Sequence, residues 1–288
     1  MKALVVEGGA MRGIFAAGVL DTFIEENYYP FDFTVGVSAG ASNLVGYLSK
    51  QKRRSYEVIT TLATDQAFYN PARFIKGGDL VDVKWLVEES QKRFPIDTDA
   101  FLSSPPMLAT TTNVDTGEAD YYRVNLDNLN QVLEATSALP VAYKQTPCFS
   151  GGCYTDGGVA DSIPVMEAYR RGARDITVVL SHPLSYEMPE TKYSWVLKRV
   201  FAKHPKIAQA MASRSEHYNR SLAFIRNPPA DATIRVIAPP EGFSVKRLTM
   251  KIKELDKGYK MGQKEGEHHI HSRLGRFGLN EENCHFCF

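Results

Sequence analysis

The pentapeptide Gly36-Val37-Ser38-Ala39-Gly40 constrains this chain more than any other stretch. It closes an apolar, β-branched run at 31–37 and opens a run at 39–49 that begins with small residues and has helical spacing. A strand that passes directly into a helix forces the residue at the turn into a strained backbone, with its side chain held outward. Glycines on either side relieve the crowding, and the following helix N-terminus favours negative charge there. The same pattern stands just upstream. Residues 2–7 read as a short buried strand ended by Gly8-Gly9, and 12–26 place Phe15, Val19, Leu20 and Phe23 near one helical face. Strand, loop, helix, strand, turn, helix is the opening of a parallel α/β sheet. The bland alternative is a glycine-rich turn with a bystander serine.

The rest of the chain is less regular. Residues 79–94 read as an amphipathic helix with Val83, Leu86 and Val87 inward. Residues 107–114 and 121–124 read as strands joined by the turn Asp115-Thr116-Gly117-Glu118, a hairpin. Helices are expected over 126–138, stopped by Pro140, and over 163–172, ended by Gly172. Residues 175–180 and 233–237 read as strands, 193–225 as mostly helical, and 246–264 as a basic helix carrying Lys246, Arg247, Lys251, Lys253, Lys257, Lys260 and Lys264. That helix is either a docking face for anionic lipid or an ordinary solvated face, since Glu254, Asp256 and Glu265 are interspersed.

Composition removes several classes. The 288 residues are 43% hydrophobic, enough for a sizeable core. A net charge of +1 argues against a nucleic-acid partner. Mean hydropathy is −0.27 and no long apolar run is present, so no spanning helix is expected. The apolar run at the N-terminus is too short for a signal peptide. A cytoplasmic enzyme is expected, with peripheral contact at the inner membrane surface. Four cysteines are too few for a disulfide scaffold of this size. Cys284 and Cys287, with His268, His269, His271 and His285, match no strong zinc pattern, so no metal is expected.

Two further stretches carry chemistry. Glu7-Gly8-Gly9-Ala10-Met11-Arg12-Gly13 lies between the first strand and helix. Such a loop presents backbone N–H groups to an oxyanion. The competing reading, a dinucleotide loop, is weakened because Ala10 stands where the second glycine of that fingerprint belongs. Asp156, in Thr155-Asp156-Gly157-Gly158-Val159, offers a carboxylate in a glycine-rich turn; the plain alternative is an Asp-Gly turn.

In this order, the three stretches resemble the patatin-like phospholipase family, whose pattern runs Asp-Gly-Gly-Gly-x-Arg/Lys-Gly, Gly-x-Ser-x-Gly, then Asp-Gly-Gly/Ala. Thr136-Ser137-Ala138-Leu139-Pro140 and Asn113-Val114-Asp115-Thr116-Gly117-Glu118 resemble further family segments. The resemblance covers roughly residues 1–180. It implies a three-layer α/β/α domain with a mainly parallel central sheet plus C-terminal helices, with 1–180 as the catalytic core and 181–288 as an extension of the same domain. It also implies a Ser38–Asp156 dyad acting on lipid esters. Gly8, Gly9, Ala10, Arg12 and Gly13 would form the oxyanion loop, Gly36 and Gly40 the nucleophile elbow, and Gly157 and Gly158 the turn behind the aspartate. No cofactor is implied. Glu7 replaces the family aspartate, and Ala10 replaces a glycine, at a strain of about 1 kcal/mol or more if its φ is positive. Within the same chemistry, a Ser–Asp–His triad through His182 is the rival. Outside it stand a carboxylesterase or thioesterase on soluble esters, and a non-catalytic lipid-binding protein. The acyl position, headgroup and oligomeric state stay open.

Overall fold

The computed structural model describes residues 1–192 and 194–273. Strand β1 (Lys2–Val6) runs into a glycine loop and a 3-10 turn at Ala10–Arg12, then helix α1 (Gly13–Glu25), strand β2 (Phe33–Val37) and helix α2 (Ala39–Leu48). The turn shortens the first helix relative to the sequence reading, because its backbone is occupied in shaping the loop. Three short helical pieces follow: α3 (Arg54–Glu57), continued by a π turn at Val58–Leu62, and α4 (Pro71–Ile75). Helix α5 (Val83–Arg93) starts later than 79, because the Asp82 side chain caps it by accepting from the Trp85 amide. After α6 (Thr98–Leu102), strands β3 (Met107–Asn113) and β4 (Ala119–Arg123) form the expected hairpin.

Helix α7 (Leu129–Thr136) ends well before Pro140. Strands β5 (Cys148–Phe149) and β6 (Gly152–Asp156) had no signal in the sequence, being short and glycine-bounded. A disulfide between Cys148 and Cys153 joins them. Helix α8 (Val165–Arg170), strand β7 (Asp175–Val179), helices α9 (Ser194–Val200) and α10 (Pro205–Arg226), strand β8 (Thr233–Ile237) and helix α11 (Ile252–Arg273) complete the order.

The strands form one sheet in the order β5-β6-β3-β2-β1-β7-β8, with β4 paired to β3. The β3-β2-β1-β7-β8 stretch is parallel, while β4 and β6 run antiparallel to β3. Alternation splits β1 between two cores. Leu4 and Val6 pack with α1, α2 and α7 residues, and Ala3 and Val5 with α8 and α10 residues. The result is the α/β/α layering expected.

The C-terminal helix differs from its sequence reading. It begins at Ile252, so Lys246 and Arg247 lie on a non-helical strap before it. One side packs against α1 at backbone distance. A Cβ on Gly18 would stand 2.1 Å from the Tyr259 carbonyl oxygen, and one on Gly262 2.0 Å from that of Phe15. Its lysines at 253, 257, 260 and 264 are exposed on the opposite side. Cys284, His285 and Cys287 lie outside the described residues.

Candidate active site

Two strands meet end to end on β3. Strand β2 pairs with β3 up to Val37↔Thr110, and β6 takes over the register at Asp156↔Thr111. The residue following Val37 is therefore brought beside Asp156, although 118 positions separate them in the chain. Ser38 sits at φ 52°, ψ −124°, the strained turn expected of it. Its neighbours must be glycine, since a Cβ on Gly36 would lie 2.7 Å from Ala41 Cα, and one on Gly40 2.4 Å from the Val6 oxygen. The Ser38 amide donates to Thr136 Oγ1 at 2.8 Å, and that hydroxyl donates to the Thr110 carbonyl at 2.6 Å.

Asp156 is buried. Its Oδ1 accepts the Gly158 amide at 2.7 Å, while the Asp156 amide donates to the Ala138 carbonyl at 2.9 Å. Gly157 passes so close to β3 that a Cβ there would lie 2.0 Å from the Thr110 oxygen. Oδ2 is buried and has no formed hydrogen bond among the described residues. Burial pushes the Asp156 pKa up; Ser38 is the strongest influence pulling it back, followed by the Gly158 amide, Arg214 and Arg247. The Ser38 hydroxyl thus faces the carboxylate without closing a well-formed bond to it, as is common before substrate binds.

The glycine loop leans on Ser38. A Cβ on Gly8 would stand 3.1 Å from Ser38 Cβ. Ala10 has φ 50°, the positive value whose strain was anticipated. Among the described residues no hydrogen bond engages the amides of Gly8, Gly9 or Ala10, whereas Met11 donates to the Arg247 carbonyl at 3.3 Å and Arg12 to that of Gly9 at 3.1 Å. The amides of Arg12 and Gly13, two members of the expected oxyanion loop, are therefore bonded within the turn. The Gly13 amide is engaged within the 3-10 turn, and its carbonyl accepts from Asn43 Nδ2 at 2.7 Å. Arg12 is buried with Nε toward Ser181 Oγ at 3.4 Å.

Glu7 and His182 form a separate cluster. Glu7 accepts the Ser181 amide at 2.6 Å and the Tyr218 hydroxyl at 3.0 Å, with His182 Nδ1 3.6 Å away. Burial opposes ionisation of Glu7, but His182, the Ser181 amide and Arg12 outweigh it and hold its pKa below the ordinary value. His182 stacks on Tyr186 at 3.8 Å between centroids. Its hydrogen-bond partners among the described residues are Ser181 and Tyr218, not Ser38 or Asp156, where a triad would need one.

Arg214, on α10, was missed by sequence reasoning: its Nε donates to the Gly158 carbonyl at 2.5 Å. Arg247, Tyr218 and Thr136 were missed as site residues too. Thr136 lay in a family-like stretch and Arg247 in the basic stretch singled out beforehand, but neither was placed at the site; Arg214 and Tyr218 sit in ordinary helix composition. In front of Ser38 opens a mainly apolar cavity of about 110 Å³, walled by Met11, Ile59, Val83, Leu86 and Leu133, with Arg247 also on its lining.

The patatin-like phospholipase family profile matches residues 4–169, more than half of the chain and every strand that builds this site. The chain is a member of the patatin-like phospholipase family. A second match, to a domain of unknown function (DUF6363), covers residues 204–277, the part that brings Arg214, Tyr218 and Arg247 to the patatin-like core. The uncharacterized protein YjjU of Escherichia coli (strain K12) is 33% identical over 277 residues, spanning 93% of this chain and 76% of that protein. Among solved structures, VipD from Legionella pneumophila aligns with a TM-score of 0.45 and 13% identity, covering 94% of this chain and 67% of that one. No helix among the described residues is long and apolar enough to cross a membrane.

Proposed function

We propose that this patatin-like chain is a serine acyl hydrolase that cleaves carboxylic esters of lipids, in the manner of a phospholipase A or lysophospholipase. The observation that carries the reading is the Asp156 Oδ2, buried, without a donor, and faced by Ser38 at the mouth of an apolar cavity. Ser38 Oγ attacks the ester carbonyl and its proton passes to Asp156 Oδ2. Oδ1 stays fixed on the Gly158 amide. A carboxylate whose pKa burial has raised is a better base than a free one. The open amides of Gly8, Gly9 and Ala10 receive the oxyanion. The proton then goes to the leaving alkoxide and the acyl chain remains on Ser38; water, deprotonated by Asp156, attacks the acyl carbonyl, and the proton returns to Ser38 Oγ as the acid leaves. No cofactor enters.

Three arginines favour an anionic substrate such as a phospholipid over a neutral soluble ester. Arg214 is held at the turn behind Asp156, and Arg12 at the glycine loop that leans on Ser38. Arg247 is exposed, lines the cavity, and has no ion-pair partner among the described residues. The compartment is proposed as cytoplasmic, with contact at the inner membrane surface; the Cys148–Cys153 bond would be reduced there. Cell fractionation tests it, and recovery of the protein outside the cytoplasm and inner membrane would refute it.

The decisive assay compares p-nitrophenyl esters with phospholipid vesicles for wild type and Ser38→Ala. Loss of turnover in Ser38→Ala is expected with both. Unchanged turnover in that variant would sink the reading. Turnover of soluble esters with none on vesicles would move it to a carboxylesterase, and no turnover at all to a lipid-binding protein.

A further inference from the structure

The apolar cavity in front of Ser38 has a charged residue in its lining that the acyl-hydrolase chemistry does not use. Arg54, at the start of α3, is 7% exposed and lines the same cavity. It stands beside Gly46 of α2: a Cβ on Gly46 would lie 3.7 Å from Arg54 Cβ and 3.0 Å from Ser55 Oγ. Eight residues separate Ser38 from Gly46 along that helix, a span of ~12 Å at 1.5 Å per residue. The nucleophile and the backbone that carries the arginine therefore stand well apart, and both residues line one cavity.

The state of the guanidinium is unusual. Its Nε donates to the Phe94 carbonyl at 2.8 Å, but Nη2 is buried and has no hydrogen-bond partner among the described residues. No carboxylate among them pairs with it. Glu57, three residues along the chain, pairs with Arg53, and Glu89 of α5 pairs with Lys92 and Arg93. Burial alone acts on its ionisation and pushes its pKa down to about 10, which leaves it cationic at neutral pH. A buried cation with an open N–H and no counter-charge is unfavourable unless something in the cavity supplies an acceptor. The walls on the way are aliphatic, Ile59, Val83, Leu86 and Val87. A ligand that satisfies the whole cavity is apolar along its length and anionic at its far end.

We propose that this cavity selects acyl chains of medium length that carry a terminal carboxylate, with the ester carbonyl at Ser38 and the carboxylate paired with the Arg54 guanidinium. The inference rests on the acyl-hydrolase reading for its orientation, not for its binding chemistry. An Arg–carboxylate contact is charge-assisted and stronger than a neutral hydrogen bond. A methyl-ended chain of the same length leaves the guanidinium without a counter-charge.

The test uses two series of p-nitrophenyl esters of graded chain length, one methyl-ended and one carboxylate-ended, with a hydroxyl-ended set beside them. Wild type is expected to favour the carboxylate series in kcat/KM by about tenfold or more at the matching length. Arg54→Met is expected to reverse that preference, and Arg54→Lys to keep part of it. A wild-type preference for methyl ends, or equal turnover of hydroxyl and carboxylate ends, overturns the proposal. If Arg54→Met does not fold, the wild-type comparison alone decides. If wild type turns over no ester, the acyl-hydrolase reading fails separately, and calorimetric binding to the Ser38→Ala protein decides the cavity. There a long-chain dicarboxylic acid monoamide should bind about tenfold tighter than the matching methyl-ended amide. Equal binding, or equally tight binding of a plain fatty acid through its own carboxylate, overturns it.

Discussion

Glu7 and Asp156 are both buried carboxylates, and the fold treats them in opposite ways. Glu7 has a donor on each oxygen, the Ser181 amide and the Tyr218 hydroxyl, with His182 alongside. Those partners hold it ionised despite its burial. Asp156 has one oxygen fixed by Gly158 and the other left open toward Ser38, so burial wins and its pKa rises. A fully satisfied buried carboxylate is a structural clamp; a half-satisfied one is a base held ready. The same distinction separates Arg12, directed to Ser181, from Arg54, whose Nη2 has nothing to bind.

The contrast is broken most directly by exchanging each carboxylate for its amide. Asp156→Asn is expected to lower kcat by roughly a thousandfold, the loss typical of a missing general base. It should also leave the fold at least as stable at neutral pH. Because the Asp156 pKa is raised on folding, ionisation weighs against the folded state at pH 7. Below its ordinary value of 3.8 the carboxyl is protonated folded or unfolded, and the advantage of the amide vanishes. Glu7→Gln should do the reverse, with a loss of stability of about 1–3 kcal/mol from mismatched buried donors and a smaller loss of rate. Thermal melts against pH, run beside initial rates, separate the two. An Asp156→Asn protein that keeps wild-type turnover would end the contrast.

A second prediction concerns pH. With Asp156 as the base, kcat/KM should fall as pH drops through its raised pKa. Arg214 and Arg247 pull that pKa down, so removing a cation lets it rise. Arg214→Met should shift the acid limb to higher pH, while Arg214→Lys should shift it less. A limb that stays in place would remove Arg214 from the electrostatics of Asp156. The smallest effect is expected from His182→Ala. It unstacks Tyr186 and loosens the Glu7 cluster, and should reduce kcat by less than about tenfold, outside the range of a lost general base. Near-complete loss would favour the triad instead.

Much of the fold was legible because the parallel strands are continuous apolar runs and their turns are marked by glycines. The hairpin β3–β4 was marked by Asp115-Thr116-Gly117-Glu118. Strands β5 and β6 were not legible, since Cys148–Phe149 and Gly152–Asp156 are too short to show alternation. The helix expected at 246 begins only at Ile252, because the strap before it is tied to the glycine loop through the Arg247 carbonyl, a contact between distant parts of the chain.

The sequence by itself determined the residue types that can do chemistry. Ser38 between glycines, an amide-rich loop and Asp156 in a glycine turn are local patterns, and local backbone sterics specify them. Only the tertiary structure decided their relation. Asp156 faces Ser38 because β2 and β6 end on adjacent residues of β3, at Thr110 and Thr111. The amides of Arg12 and Gly13 are taken up inside the turn, by the carbonyls of Gly9, Ala10 and Met11. Arg214, Arg247 and Arg54 gained their meaning from what surrounds them. Charge and hydrogen-bonding capacity are written in the residue, but whether a partner is present depends on which distant segments the fold packs against it.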